Sequence, residues 1–240
     1  MAFTNCYEDD TRAEAYAQLE FRNTYYLAYR DLPDIIRQNV TGTKALDFGC
    51  GTGRSTRFAR KLGFEVVGVD ISPKMIAKAR ELDRGGDYRL LDEDNLGKFT
   101  RDSYDLVLSL FTFDNIEGGE TKVRLFHELG ALLKSTGKII HVVSSPEIYI
   151  NEWASFSTRD YPENRSAKSG DVVRIITTDF ADRRPAEDIL WTDDSYREVY
   201  LRAGLDLVAT YKPLAKGDEP YNWKSETSVA PWVIYVLKPA

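Results

Sequence analysis

The chain has 240 residues, 42% hydrophobic and 29% charged, enough for one globular α/β domain with a full core. Its net charge is −6 and its basic residues are scattered, which argues against a DNA or RNA partner and leaves a protein acceptor open. No run approaches the roughly 18 apolar residues of a membrane span; Met1-Ala2-Phe3-Thr4-Asn5-Cys6 lacks the basic and apolar regions of a secretion signal; Cys6 and Cys50 make no disulfide framework, so a cytoplasmic protein with free thiols is expected.

Residues 8–22 read as a helix carrying Tyr16 and Leu19. Residues 24–39 read as a second, with Tyr25, Ala28, Leu32, Ile35 and Ile36 near helical spacing and Pro33 kinking or dividing it. From residue 44 the period changes. Lys44–Phe48 is a short strand, Gly49–Gly53 a turn, Arg54–Leu62 a helix stopped by Gly63, and Phe64–Val69 a second strand. Ser72 and Pro73 are the N-cap and first residue of a helix through Met75, Ile76 and Ala79. Asp87–Leu91, Tyr104–Leu110 and Lys138–Val143 are further strands, with an amphipathic helix at Thr121–Leu133 before the last. This alternation predicts an α/β, doubly wound, Rossmann-like sheet that is mostly parallel. Regularity breaks between Ser144 and Leu190, a stretch too long for an ordinary connection, which holds Tyr149, Trp153, Phe156, Tyr161 and the strand-like run Val172–Thr177. A helix at Asp194–Ala203 and strands at Leu205–Tyr211 and Trp232–Leu237 follow. With no helix between them, these two strands are expected to pair antiparallel at the sheet edge. The expected organisation is one domain over 1–240. It comprises an N-terminal helical cap (1–40), a cofactor-binding core (44–145), a substrate lid insertion (146–190), and a C-terminal helix and strands (191–240).

Gly49-x-Gly51-x-Gly53 follows a strand and opens a helix, where backbone approaches a ligand closely and free N–H groups face it. The third glycine of a dinucleotide fingerprint would fall on Arg54, and the Gly-Lys-Ser/Thr of a P-loop is missing. Asp47, just before the loop, suits a cationic amine and would repel a pyrophosphate. Asp70 ends the second strand, placed to accept two ribose hydroxyls.

Leu46-Asp47-Phe48-Gly49-Cys50-Gly51-Thr52-Gly53 resembles the first motif of class I S-adenosylmethionine-dependent methyltransferases, and Val67-Gly68-Val69-Asp70-Ile71-Ser72 with Met75 resembles their second. Ser103–Val107 is similar to the start of their fourth strand, Leu133–Ile140 to their turn into strand five, and Trp191–Asp194 through Leu205 to their approach to strand six. Together these cover roughly residues 44–145 and 190–240, in the family's order. The resemblance implies a seven-stranded sheet with its last strand antiparallel and a lid inserted between strands five and six. It implies S-adenosyl-L-methionine as methyl donor, S-adenosyl-L-homocysteine as product, and no metal. In its terms Asp47 and the backbone of Gly49, Cys50, Gly51 and Gly53 hold the methionine amine and carboxylate. Asp70 takes the ribose, Ile71 and Met75 lie against adenine, Asp92 accepts the adenine amino group and Glu93 supplies a backbone N–H. Leu91 departs from the family's usual glycine, and a slip of two would put Asp94 in place of Asp92. Leu110 and Phe111 lie near the reacting methyl. The helix before strand one runs antiparallel to it, so its beginning faces the ligand edge. Arg22 and Tyr25 are therefore better placed than Tyr29 or Arg30 to reach the carboxylate. Tyr16 lines the same mouth, unless it and Tyr25 only pack between helices.

Methyl transfer from a sulfonium is an in-line displacement needing alignment, dryness and, for a hydroxyl or protonated amine, a base. His141 and Asp114 are the base candidates, against the plainer readings of a packed strand histidine and a turn carboxylate capping the next helix. His127 falls off its helix's apolar stripe, on the surface. Arg54, Arg57, Arg60 and Lys61 read as a solvated helix face. Phe111, Tyr149, Trp153 and Phe156 are expected at the acceptor, with residues 146–190 serving as a lid or, equally, as a satellite core or dimer contact. The resulting expectation is a methyltransferase for an oxygen or nitrogen of a small metabolite, monomeric or homodimeric, with no nucleic-acid or membrane partner. The competing expectations are a protein that keeps the cofactor pocket without methylating, and a nicotinamide-dependent oxidoreductase, which Arg54 and Asp47 disfavour.

Overall fold

The computed structural model describes residues 21–92, 95–179 and 181–240. The helix expected over 8–22 lies outside them except for its last two residues, as do Tyr16, Glu93 and Asp94.

The stretch 24–39 forms two helices, α1 (Thr24–Arg30) and α2 (Leu32–Asn39). Pro33 sits in the first turn of α2, where its missing N–H costs no helical bond, so the chain divides just before it. Next come β1 (Lys44–Phe48), α3 (Arg54–Lys61), β2 (Glu65–Asp70), α4 (Pro73–Leu82) and β3 (Asp87–Leu90). Then follow β4 (Tyr104–Leu110), α5 (Gly119–Leu132) and β5 (Leu133–Ser144). An insertion carries β6 (Phe156–Ser157), β7 (Val172–Thr177) and β8 (Ala186–Ile189), and α6 (Asp193–Arg202), β9 (Leu205–Tyr211) and β10 (Trp232–Pro239) close the chain.

The main sheet has seven strands in the order β3-β2-β1-β4-β5-β10-β9. The first five are parallel, while β10 runs antiparallel to both β5 and β9. So β9, and not β10, takes the edge. Every residue of β4 is buried, as a central strand covered on both faces must be. Its alternation divides two apolar layers: Leu106, Leu108 and Leu110 pack with α1, α2 and the insertion, while Val107 packs with α5 and α6.

The insertion is a three-stranded antiparallel sheet, β6-β7-β8. β8 packs on the turn Phe113–Asn115 after β4, and β7 on the turn Pro146–Tyr149 after β5, so it adjoins the carboxyl ends of the central strands. Glu226 anchors it there. This fully buried carboxylate accepts from the Thr24 hydroxyl (2.6 Å) and the N–H groups of Ala154 (2.7 Å) and Lys224 (2.8 Å). The Trp232 indole N–H adds a 2.7 Å bond to the Thr24 carbonyl. Helix α1, the insertion and β10 thus share one buried network, in which each polar group needs the others.

Candidate active site

The glycine-loop side is built from backbone. The N–H groups of Gly49 and Cys50 both bond the Val69 carbonyl, at 2.8 and 2.9 Å, tying the loop across to β2. Gly51 N–H donates to Asp70 Oδ2 (2.9 Å) and Ser72 N–H to Asp70 Oδ1 (2.8 Å). Gly49 and Gly51 have φ of 74° and 53°, a region that disfavours any side chain. A Cβ at Gly49 would strike Thr112, whereas one at Gly51 would meet nothing within 4 Å. The loop therefore closes on the protein at Gly49 and opens into a cradle at Gly51.

Asp47 lies wholly buried behind that loop. Its Oδ2 accepts from the Ser55 and Thr56 hydroxyls, both at 2.6 Å, and its Oδ1 has no partner. Burial raises its pKa to about 6 against the opposing pull of the two hydroxyls. A buried acceptor without a donor fits a cationic amine. Asp70 is also raised by burial, opposed by its N–H bonds from Ser72 and Gly51. Burial, then the charges of Asp47 and Asp70, push the Cys50 thiol up, so it stays protonated and is no nucleophile. Ile71, next to Asp70, is 61% exposed, an apolar side chain left uncovered. Met75 is buried, its N–H capped by Ser72 Oγ at 3.3 Å. Asp92 is exposed, with Lys98 at 3.6 Å.

The aromatic side is built from side chains. Phe111 follows β4 at φ 65°, a left-handed conformation that strains a residue with a Cβ. Its N–H is held by the Val142 carbonyl at 2.8 Å. Its ring meets Trp232 at 4.7 Å and Tyr25 at 5.8 Å between centroids, and Phe156 meets Tyr25 at 5.2 Å. These four rings, with Tyr149, line a cavity whose polar groups include Arg54, Asp114, Asn115, Ser144 and Asp188. The Tyr149 hydroxyl donates to Asp188 Oδ2 at 3.1 Å. Leu110 is buried just beneath, in the layer that carries the rings.

Several sequence expectations change here. Asp114 does not cap α5, whose N-cap is Gly118 and has no side-chain cap. It sits in the turn Phe113–Asn115, 5% exposed, and accepts from the Ser144 N–H at 3.1 Å. Burial raises its pKa to about 6, opposed by bonds from Ser144 and by the charge of Lys122. His141 does not line the cavity. It shares the opposite face of β5 with Ile139 and Val143, ringed by Phe113, Phe126 and Tyr196, with Nδ1 2.7 Å from the Tyr200 hydroxyl. Burial lowers its pKa well below the usual value and keeps the ring neutral. Trp153 is fully buried and its indole N–H bonds the Ile148 carbonyl at 2.8 Å, so it packs behind the cavity and does not line it. Arg22 is exposed and lies just before Asn23, the N-cap residue of α1.

The basic cluster is not one solvated face. Arg57 bonds the Thr52 carbonyl (2.8 Å), Arg60 pairs with Asp83 (2.6 Å), and Arg54 turns inward with its guanidinium 4.9 Å from the Tyr25 ring and 5.4 Å from that of Tyr29. Arg54 is the site cation that sequence reasoning missed. Its signal was its place as first residue of the helix after the loop, at the ligand edge. Lys122 was also missed. Fully buried, it donates to the Phe113 carbonyl beside the Trp191 and Tyr196 rings, and burial lowers its pKa to about 8 despite Asp114.

Residues 46–141 match the family model described as a methyltransferase domain. An uncharacterised protein of Haemophilus influenzae is 30% identical over 116 residues, 45% of this chain and 44% of that protein. The ubiquinone biosynthesis O-methyltransferase of Pseudomonas syringae pv. tomato is 26% identical over 187 residues, 75% of this chain and 73% of that enzyme. An S-adenosylmethionine-dependent methyltransferase from Clostridium acetobutylicum shares the fold with a TM-score of 0.64 at 16% identity, covering 98% of this chain and all of its own.

Proposed function

We propose that this chain, whose residues 46–141 match a methyltransferase domain and whose fold is that of S-adenosylmethionine-dependent methyltransferases, is a class I enzyme of that kind that methylates an oxygen or nitrogen of a small metabolite held in the aromatic cavity. The observation that carries the reading is the adjacency of two unlike sites. A backbone cradle with an orphan carboxylate oxygen at Asp47 stands beside an aromatic cavity that shares Arg54 with it.

The residues present suit the methyl donor. Asp47 Oδ1 would hold the amine, the Arg54 guanidinium would complement the carboxylate, the Asp70 carboxylate would take the ribose hydroxyls, and Ile71 would offer an apolar wall to the base. When bound, the donor supplies a sulfonium-activated methyl group. The rings of Tyr25, Phe111, Phe156 and Trp232 exclude water and fix the acceptor's plane. Asp114, buried and facing that space, holds or accepts the acceptor's proton at its carboxylate. The strained backbone of Phe111, pinned by Val142, holds its ring at the cavity. In this reading residues 146–190 are the lid, and the protein works in the cytoplasm, without a metal, as a monomer or homodimer.

Calorimetry of the full chain with S-adenosylmethionine and S-adenosylhomocysteine tests the reading, and binding of both is expected. A protein that binds neither contradicts it. Label transfer to a metabolite extract, followed by mass spectrometry, then identifies the product.

A further inference from the structure

We propose that Lys122 is a positioning residue for the transfer: from behind the cavity it fixes the turn that carries Asp114 and holds that carboxylate in its charged form. The inference rests on the reading of Asp114 as the group that takes the acceptor's proton. Three observations converge on it.

The first is where the lysine stands. Lys122, Phe126 and Leu129 recur at helical spacing on the buried stripe of α5. Lys122 is fully buried near the amino end of that helix, where the positive end of the dipole opposes a cation. Its Nζ donates to the Phe113 carbonyl, and lies 5.1, 5.7 and 5.8 Å from the ring centroids of Trp191, Phe113 and Tyr196. Burying an ammonium in such a place costs stability that an apolar side chain of similar length would not. Packing alone does not account for a lysine here.

The second is the turn. Phe113, Asp114 and Asn115 form one short turn that is held from several sides. Lys122 holds the Phe113 carbonyl, and the Ser144 N–H (3.1 Å) and hydroxyl hold the Asp114 carboxylate. Asn115 Nδ2 donates to the Phe111 carbonyl at 3.3 Å. Asp114 lines the cavity, whose rings Tyr25, Phe156 and Trp232 belong to one apolar layer of the sheet. The rings of Phe113 and Tyr196 around Lys122 belong to the other layer. The lysine therefore acts on the acceptor through Asp114.

The third is charge. Burial drives both groups toward their neutral forms. The charge of Asp114 opposes this at the lysine, and the charge of Lys122 opposes it at the carboxylate, after the bonds from Ser144. The other titratable groups packed nearby are neutral at pH 7. Burial keeps His141 of β5 unprotonated, and keeps Tyr149 after β5, Tyr196 and Tyr200 of α6 and Tyr235 of β10 protonated. On α5 itself, Glu120 is exposed and pairs with Arg202. Beyond the tyrosines lie Asp188, bonded by the Tyr149 hydroxyl at 3.1 Å, and Asp193, bonded by the Tyr235 hydroxyl at 2.8 Å and paired with Lys212. Buried charges are poorly screened, so Asp114 and Lys122 each set the other's ionisation.

Lys122 gives up no proton in the transfer. The acceptor's proton passes to Asp114 as the acceptor's lone pair takes the methyl group, and the C–S bonding pair stays on sulfur.

The test follows both groups in the full chain by nuclear magnetic resonance with isotope-labelled aspartate and lysine. In the parent, the Asp114 signal, assigned by its loss in Asp114→Asn, is expected to titrate near 6, and a lysine signal, that of Lys122, near 8. Lys122→Met is expected to raise the Asp114 midpoint by about one pH unit or more, and Asp114→Asn to lower the Lys122 midpoint by a similar amount, because coupling is reciprocal. The second arm leaves Lys122 in place, so it decides the matter if Lys122→Met does not fold. Label transfer from S-adenosylmethionine to a metabolite extract is followed over the same pH range, and its acid limb is expected to move with the Asp114 midpoint. A lysine that only braces the turn leaves both midpoints where they are, and that result overturns the proposal while leaving Asp114 as the base. A midpoint that moves while the acid limb stays shows that Asp114 is not the proton acceptor, and overturns the proposal with that role. A parent chain that binds no S-adenosylhomocysteine removes the methyltransferase reading itself, and the role of Lys122 with it.

Discussion

The two halves of the cleft are made by different means. The glycine-loop half lies between Asp47 and Ser72, and it is shaped by main-chain N–H groups held on the Val69 carbonyl and the Asp70 carboxylate. The aromatic half draws Tyr25, Phe111, Asp114, Tyr149, Phe156, Asp188 and Trp232 from separate segments, and it is lined by side chains. A site made of backbone must keep one local conformation, so its glycines and flanking carboxylates hold a fixed spacing. A site made of side chains needs only that the topology bring them together. Here the pairing of Trp232 with Ser144 and the packing of β8 on the turn of Asp114 do so.

That difference is open to attack, beginning with the largest effect. Gly51→Val puts a branched side chain at φ 53° and its Cβ into the open cradle. Backbone strain of about 1–2 kcal/mol weakens the loop and the side chain fills the cradle, so together they are expected to lower S-adenosylmethionine affinity by about a hundredfold or more, with the aromatic cavity intact. Asp70→Ala removes the acceptor of the Gly51 and Ser72 N–H groups. Hydrogen bonds to charged groups are worth about 1.5–3 kcal/mol, so a fall of about ten- to a hundredfold is expected in the same titration.

The third attack is by pH. The folded-state pKa of Asp114, about 6, lies above its ordinary 3.8. Its carboxylate must be ionised to work, so transfer at saturating donor is expected to rise through pH 6 and level off above it. Saturating donor matters because protonation of Asp47, also near 6, is expected to weaken donor binding over the same range. The sign for stability is the reverse. A raised pKa means the fold holds the proton more tightly than the unfolded chain, so this group's contribution falls as pH rises from about 4 to 6. Asp114→Asn is therefore expected to melt higher than the parent at pH 7.5 while losing the acid limb of the rate profile.

The smallest functional effect is expected at His141. His141→Phe strips the Tyr200 hydroxyl of its 2.7 Å partner inside an aromatic cluster on the far face of the sheet. Denaturant titration should show a loss of about 1–3 kcal/mol, with kcat/KM for the acceptor little changed. A large loss of kcat/KM in a folded variant would return His141 to the list of bases.

The same contrast explains what the sequence could tell. Asp47, the glycines and Asp70 were legible because strand, turn and helix follow in one short stretch. The seven strands were legible from alternation, apart from details such as which of the last two takes the edge. Asp114 was placed as a candidate, but the capping role expected of it failed because the turn Phe113–Asn115 directs it to β5 and not to α5. Trp153 misled, since an aromatic in an insertion reads the same whether it lines a cavity or backs one. Arg54 and Lys122 were overlooked because a basic residue on a polar helix face looks solvated. Only the tertiary arrangement shows one turned onto Tyr25 and the other buried at Phe113.

The most direct test of the claim that the halves are separable is one variant read two ways. Asp114→Asn is titrated with S-adenosylmethionine and assayed for label transfer to the acceptor. The expected result is a donor Kd within about twofold of the parent and a transfer rate lower by about a hundredfold, the usual scale of a lost acid–base group. Transfer at the parent's rate, or donor affinity falling in step with transfer, would contradict the account.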